Sequence, residues 1–147
     1  MPTAEPLVAV LDDEPEMRKA LRRLLVCCGF RVAEYEGGED FLAALDAAPP
    51  DCLLLDLHMP EVNGFGVLEA LRSRHPPLPT VVITAHDQPG TEERVQALGA
   101  CAYLKKPVDR DALLAAIATA TANPALGEKL ETLEVHVAEL EFHHHPS

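Results

Sequence analysis

Short apolar runs of about five residues alternate with segments whose apolar positions recur every three or four residues, from Leu7 to Ala122. That alternation is the sequence sign of parallel strands joined by helices. Leu7 to Leu11 predicts a first strand. Met17, Leu21, Leu24 and Leu25 then share one side of a helix from Pro15 to Cys28, which Gly29 should stop. Phe30 to Tyr35 predicts a second strand, Glu39 to Ala47 a second helix, and Cys52 to Leu57 a third strand. Its unbroken Leu53-Leu54-Leu55 run is that of a strand covered on both faces. Pro60 and Gly64 bracket a loop before a helix from Phe65 to Arg74, and Thr80 to Thr84 is the fourth strand. A helix from Thr91 to Leu98 should end at Gly99, Cys101 to Leu104 forms a short fifth strand, and Asp109 should cap a last helix from Arg110 to Ala122. The expected fold is an α/β domain over residues 5–122, a doubly wound five-stranded parallel sheet with helices on both faces.

Beyond it, residues 123–147 read as a helical tail. Leu126, Leu130, Leu133, Val137 and Leu140 recur in alternating steps of four and three, the spacing of a coiled coil. The stretch suits packing on its own domain or pairing with a second chain, so a homodimer is one expected partner state. His143 to His145 read as a frayed or engineered end.

Composition narrows the classes. No apolar run approaches the roughly 20 residues that cross a bilayer, and Met1 to Glu5 lacks the basic and apolar regions of a secretory signal, so a cytoplasmic location without membrane contact is expected. Cys27, Cys28, Cys52 and Cys101 form no metal-like spacing and read as small buried hydrophobes. A net charge of -12 disfavours direct nucleic-acid binding, which needs clustered Lys and Arg. The excess of carboxylates suits a hard divalent cation instead.

Those carboxylates are placed suggestively. Asp12-Asp13 follow the first strand and Asp56 lies near the end of the third. In open α/β sheets ligands bind beyond the carboxyl ends of the strands, where the strand order reverses. In a flavodoxin-like order 2-1-3-4-5 all three would converge there, and their mutual repulsion calls for Mg²⁺. Thr84 and Lys106 arrive at the same edge from the fourth and fifth strands, adding a hydroxyl and an ammonium for a dianionic oxyanion such as phosphoryl. A carboxylate nucleophile forming an aspartyl-phosphate needs little more.

Over about 115 residues the sequence resembles the receiver domains of two-component response regulators, the CheY-like family. The resemblance rests on Asp12-Asp13, on Leu53-Leu54-Leu55-Asp56-Leu57-His58-Met59-Pro60 with Gly64 following, and on Thr84-Ala85, Gly99-Ala100 and Lys106-Pro107. It implies that Asp56 attacks the phosphorus of a phosphohistidine on a histidine kinase or histidine phosphotransfer protein. It also implies that Asp13, Asp56 and the backbone carbonyl of His58 ligate Mg²⁺, with Asp12 acting largely through water. Lys106 would pair with a phosphoryl oxygen, Thr84 would move to bond another, and Tyr103 would turn inward with it, making Thr84 and Tyr103 the switch pair. His58 and His86, two residues after Asp56 and Thr84, match positions that tune the lifetime of the phosphoryl group, and their titration should make that lifetime depend on pH.

Plainer roles stand beside these. Asp13 could cap the first helix, Tyr103 could hold its hydroxyl at the surface, and Lys105 should be a solvated neighbour, since consecutive strand-end side chains face opposite ways. Arg18, Lys19, Arg22 and Arg23 form a cationic run where such receivers meet their phosphodonor. The residues after Ala122 show no helix-turn-helix pattern, which favours an output through contact with another protein. Val32 to Leu42 and Ile83 to His86 also resemble receivers of the nitrogen-fixation regulator type, so a receiver portion of a longer transcription regulator is the close alternative. A haloacid-dehalogenase-like phosphatase would need an acid two residues after its nucleophile, where this chain has His58. A receiver is therefore expected to be a phosphoacceptor and not an enzyme acting on other substrates.

Overall fold

The computed structural model describes residues 5–58, 63–74 and 77–121. Among them the chain alternates β1 (Leu7–Leu11), α1 (Pro15–Cys27), β2 (Arg31–Tyr35), α2 (Gly38–Ala44), β3 (Cys52–Asp56), α3 (Gly64–Leu71), β4 (Thr80–Thr84), α4 (Thr91–Ala97), β5 (Ala102–Lys105) and α5 (Arg110–Thr121). All neighbouring strands pair in parallel, in the order β2-β1-β3-β4-β5, the flavodoxin-like arrangement. Tail positions Leu126 to Leu140, together with Met59, Pro60 and Ala122, lie outside the described residues.

The continuous apolar runs have a simple cause. Alternate side chains of one strand feed two separate cores. Val8, Val10, Cys52, Leu54, Val81 and Ile83 pack with α1 and α5. Ala9, Leu11, Leu53, Leu55 and Val82 pack with α2, α3 and α4. Each fully buried Leu or Val contributes roughly 1.5–3 kcal/mol, so β1, β3 and β4 anchor the fold from both sides. The edge strands β2 and β5 are only partly buried.

Helix ends follow local chemistry. Gly29 adopts φ +92°, and its N–H and that of Phe30 donate to the carbonyls of Val26 and Leu25, closing α1 as the sequence suggested. Asp109 caps α5, its Oδ2 accepting from the Ala112 N–H at 2.9 Å. No helix among the described residues is long and apolar enough to cross a membrane.

Several expected boundaries shift. α2 stops at Ala44 instead of Ala47 because its last turn tightens ahead of Pro49-Pro50, which disfavours helical backbone at Ala48. α3 begins at Gly64 and not Phe65, since Asn63 accepts from the Gly66 N–H at 3.0 Å and places Gly64 inside the first turn. It ends at Leu71, where its apolar face runs out before Arg72, Ser73 and Arg74. β3 ends at Asp56, and β5 is displaced by one residue so that Lys105 pairs in register with Thr84. The cysteines depart further from expectation: Cys52 is buried, but Cys27 and Cys101 are exposed and Cys28 is half-buried. Cys27 sits on the side of α1 away from the sheet, and Cys101 in the turn before β5.

Candidate functional site

β1 and β3 are adjacent in space, yet the chain leaves β1 for β2 on its other side. A crevice therefore opens at their carboxyl ends. Asp12 follows Leu11 into it and Asp56 is the last residue of β3. Asp12, half-buried Asp13 and Asp56 bring one carboxylate oxygen each within 4.8 Å of one another. Asp12 is 2% and Asp56 4% exposed. Burial pushes the Asp56 carboxyl up to about 6. The His58 N–H works against that shift, the Asp12 charge adds to it, Lys106 opposes it, and Asp13 adds a little more.

The carboxylates are not equivalently occupied. Asp12 Oδ1 accepts from the Glu14 N–H at 2.9 Å and its Oδ2 from Lys106 Nζ at 3.1 Å. Asp56 Oδ1 accepts from the His58 N–H at 3.2 Å, and Lys106 Nζ stands 3.8 Å from its Oδ2. Asp13 does not cap α1; Glu14 occupies that position, without a capping side-chain bond. Lys106 is shared three ways, with Glu14 Oε1 at 3.4 Å as its third acidic neighbour. Burial alone would lower its pKa, but Asp12, Asp56 and Glu14 outweigh that and hold the ammonium above its usual range.

Strand pleating separates the two lysines. Lys105 turns outward and pairs with Asp87 Oδ2 at 3.1 Å, as expected of the solvated neighbour. Thr84, fully buried at the end of β4, accepts from the His86 N–H on its Oγ1 at 3.0 Å. The next residue, Asp87, accepts from the Tyr103 hydroxyl at 2.8 Å. Tyr103 thus lies with its ring partly packed on the core and its hydroxyl at the surface. Its phenol is raised to about 12, by burial first and by Asp87 second. The rings of His58 and His86 meet edge to face with centroids 4.6 Å apart.

The structure thus brings Asp12, Asp13, Asp56 and Lys106 into one crevice, and sets His58 against His86. Tyr103 is tied to the loop after Thr84 and does not enter the crevice. Three participants escaped the sequence. Glu14 shares Lys106, and Asp87 collects both Tyr103 and Lys105, and neither belongs to a motif. Arg18, expected on an exposed cationic run, is 14% exposed and turned inward; it donates to the Asp12 carbonyl at 2.8 Å and faces Glu34 at 3.7 Å. Its spacing from the acid pair, one and a half helical turns, was the available signal.

An oxygen-only set of carboxylates beside a lone ammonium suits a hard cation and an anionic ligand. Comparison with known proteins agrees in kind. Residues 8–118 match the model of the response regulator receiver domain. The DNA-binding transcriptional regulator NtrC of Salmonella typhimurium is 34% identical over 129 residues, covering 88% of this chain and 28% of NtrC. Transcriptional regulatory protein FixJ of Bradyrhizobium diazoefficiens is 30% identical over 131 residues, covering 89% of this chain and 64% of FixJ. The chain therefore spans little more than a quarter of NtrC and less than two-thirds of FixJ. Among solved structures, a response regulator receiver protein from Burkholderia phymatum superposes with TM-score 0.71 at 37% identity, over 80% of this chain and 96% of that one. The chemotaxis protein CheY4 of Vibrio cholerae gives TM-score 0.73 at 27% identity, over 80% and 99%. On the strength of the family match and of a fold shared with these receivers, the chain belongs to the response regulator receiver domain family of two-component signalling.

Proposed function

We propose that Asp56 accepts a phosphoryl group from a phosphohistidine on a histidine kinase or histidine phosphotransfer protein, with Mg²⁺ held by Asp13, Asp56 and the His58 carbonyl and with Asp12 behind it. The observation that carries this reading is the trio of converging carboxylates facing Lys106. Both Asp12 oxygens already accept hydrogen bonds, which suits a role through water, and Asp13 remains the freer ligand. Bound Mg²⁺ would neutralise the carboxylates and the incoming phosphoryl oxygens. An Asp56 oxygen forms the new bond to phosphorus while the bond from phosphorus to the donor imidazole nitrogen breaks, its electron pair leaving with that nitrogen. Lys106 moves its charge from Asp12 and Glu14 toward a phosphoryl oxygen.

Thr84 and Tyr103 then form the switch. Thr84 Oγ1 accepts from the His86 N–H, which leaves its own O–H to donate to a phosphoryl oxygen, so a shift of Thr84 toward that oxygen would draw on the loop whose Asp87 holds Tyr103. Movement of this loop frees the ring to turn inward. Residues 5–122 act as one receiver domain, with a protein-binding surface as the output and the 123–147 segment as a separate tail. A second reading, output through DNA binding in a longer regulator, is favoured by the transcriptional regulators among the relatives.

Intact-protein mass after incubation with acetyl phosphate and Mg²⁺ tests the central step. The wild type should gain one phosphoryl group, and Asp56→Asn, or the wild type in EDTA, should gain none. An unchanged mass with beryllofluoride also failing to bind would reject the reading.

The paired imidazoles would set how long the phosphoryl group survives, a role supported by their backbone N–H groups bonding Asp56 and Thr84 and by the contact between their rings. His58→Ala and His86→Ala should each change the decay rate of the aspartyl-phosphate roughly three- to tenfold, on the order of 1 kcal/mol in barrier. The double variant should change it by less than the product, since the rings are in contact. Decay identical to wild type in all three would remove the role.

A further inference from the structure

One face of the molecule is not used by this chemistry. α1 buries Leu21 and Leu25 against the sheet, with Met17, Leu24 and Cys28 packed beside them. Lys19, Arg22, Arg23, Val26 and Cys27 turn the other way and line a shallow, mostly apolar groove of about 540 Å³. Its walls are the methylene stems of the three cations, the Val26 side chain and the Cys27 thiol. Val26 is 52% exposed, the one large hydrophobic left so open among the described residues. Of the three cations, only Arg22 has an acidic partner among the described residues, Glu34 at 3.4 Å. An apolar strip rimmed by positive charge fits a ligand that is both apolar and acidic.

The chain carries such a segment. Leu126, Leu130, Leu133, Val137 and Leu140 give one apolar stripe, and Glu128, Glu131, Glu134, Glu139 and Glu141 stand against the single Lys129. Geometry brings it within reach. α1 and α5 pack on the same sheet face and both run back from the crevice, each after a parallel strand. Thr121 therefore leaves the fold at the end of the sheet where Val26 and Cys27 lie. A helix over residues 126–142 would be about 25 Å long, against about 20 Å for α1.

We infer that residues 126–142 dock their apolar stripe along the α1 groove, with their glutamates against Lys19, Arg22 and Arg23, and cover this face in the resting protein. The docking needs no phosphorylation. Its regulatory consequence does rest on the function proposed above: a protein phosphodonor approaching over α1 must displace the segment, whereas acetyl phosphate need not.

Cys27 is a reporter built into the groove, and its alkylation by N-ethylmaleimide, followed by peptide mass spectrometry of the full chain, tests the docking alone. Cys101, exposed elsewhere, is the reference, and fully buried Cys52 reports that the fold is intact. Cys27 should react about tenfold more slowly in the wild type than in Leu130→Asp/Leu133→Asp, as a docked fraction near nine-tenths requires. Arg22→Glu/Arg23→Glu should also expose it. A faster rate in that variant reads uncovering of the groove. Adding Glu131→Lys/Glu134→Lys to the reversed groove should restore protection. Equal Cys27 rates in the wild type and both double variants would overturn the proposal. Protection that fades on tenfold dilution would overturn it too, by assigning the groove to a second copy of the chain. Neither result touches phosphorylation of Asp56, so the two ideas fail separately.

Discussion

Asp56→Asn should stabilise the protein by about 2–3 kcal/mol near pH 7.5 in EDTA, and by almost nothing near pH 4. A carboxyl that titrates near 6 in the fold and near 3.8 in the unfolded chain binds more protons when folded across that window. Stability must then fall as pH rises from about 4 to above 6, and the loss is fully present at neutral pH. Burial among Asp12 and Asp13 is the source of the cost; asparagine fills the same space without the charge. Urea denaturation of both proteins at the two pH values checks it. The difference between them should narrow when Mg²⁺ is added, because a cation at the carboxylates offsets the repulsion that the wild type carries alone. Equal stability of the two proteins at neutral pH in EDTA would show that Asp56 is not under this strain.

Gly64→Ala should cost about 2–3 kcal/mol, an overpacking penalty that the small gain in helix propensity does not offset. A Cβ at Gly64 would stand 2.6 Å from the Leu57 Cα, 2.8 Å from its Cδ2 and 3.0 Å from the Asp56 carbonyl oxygen. Two of those atoms are backbone and cannot rotate away. α3 approaches so closely because the Gly64 N–H donates to the Leu57 carbonyl at 3.0 Å, docking the helix directly beyond the end of β3. Relief requires moving either the helix or the residue next to Asp56. The same substitution should therefore slow phosphorylation by acetyl phosphate as well as shift the urea midpoint. A midpoint within about 0.5 kcal/mol of wild type would mean that the approach is looser than it stands here.

The sequence exposes whatever depends on burial or on a strand end. Leu53 to Leu55 announces a strand buried on both faces because each residue feeds a different core, and Asp12, Asp56 and Lys106 are legible because parallel strands deliver their last residues to one edge. Side-chain contacts between distant loops are another matter. His58 and His86 are each placed by their distance from Asp56 and Thr84, but nothing in the sequence tells that their rings meet, a contact that comes from the pairing of β3 with β4. Asp87 has no apolar period and no motif, yet it joins Tyr103 to Lys105. Gly64 looked like loop punctuation because its conformation is ordinary; what demands glycine is Leu57, seven residues earlier.

The opposed orientations of Lys105 and Lys106 carry a consequence for how this chain can vary. Two chemically identical side chains, adjacent in the sequence, are assigned different tasks by parity alone: the odd one meets Asp87 outside, the even one the acids within. A substitution that preserves β5 leaves that assignment untouched. Deletion of one residue between Cys101 and Leu104 would reverse it without altering a single charge, carrying Lys106 to the outward place and Pro107 toward the crevice. The crevice's ammonium is thus encoded less by the presence of a lysine than by an even or odd count of residues along the edge strand.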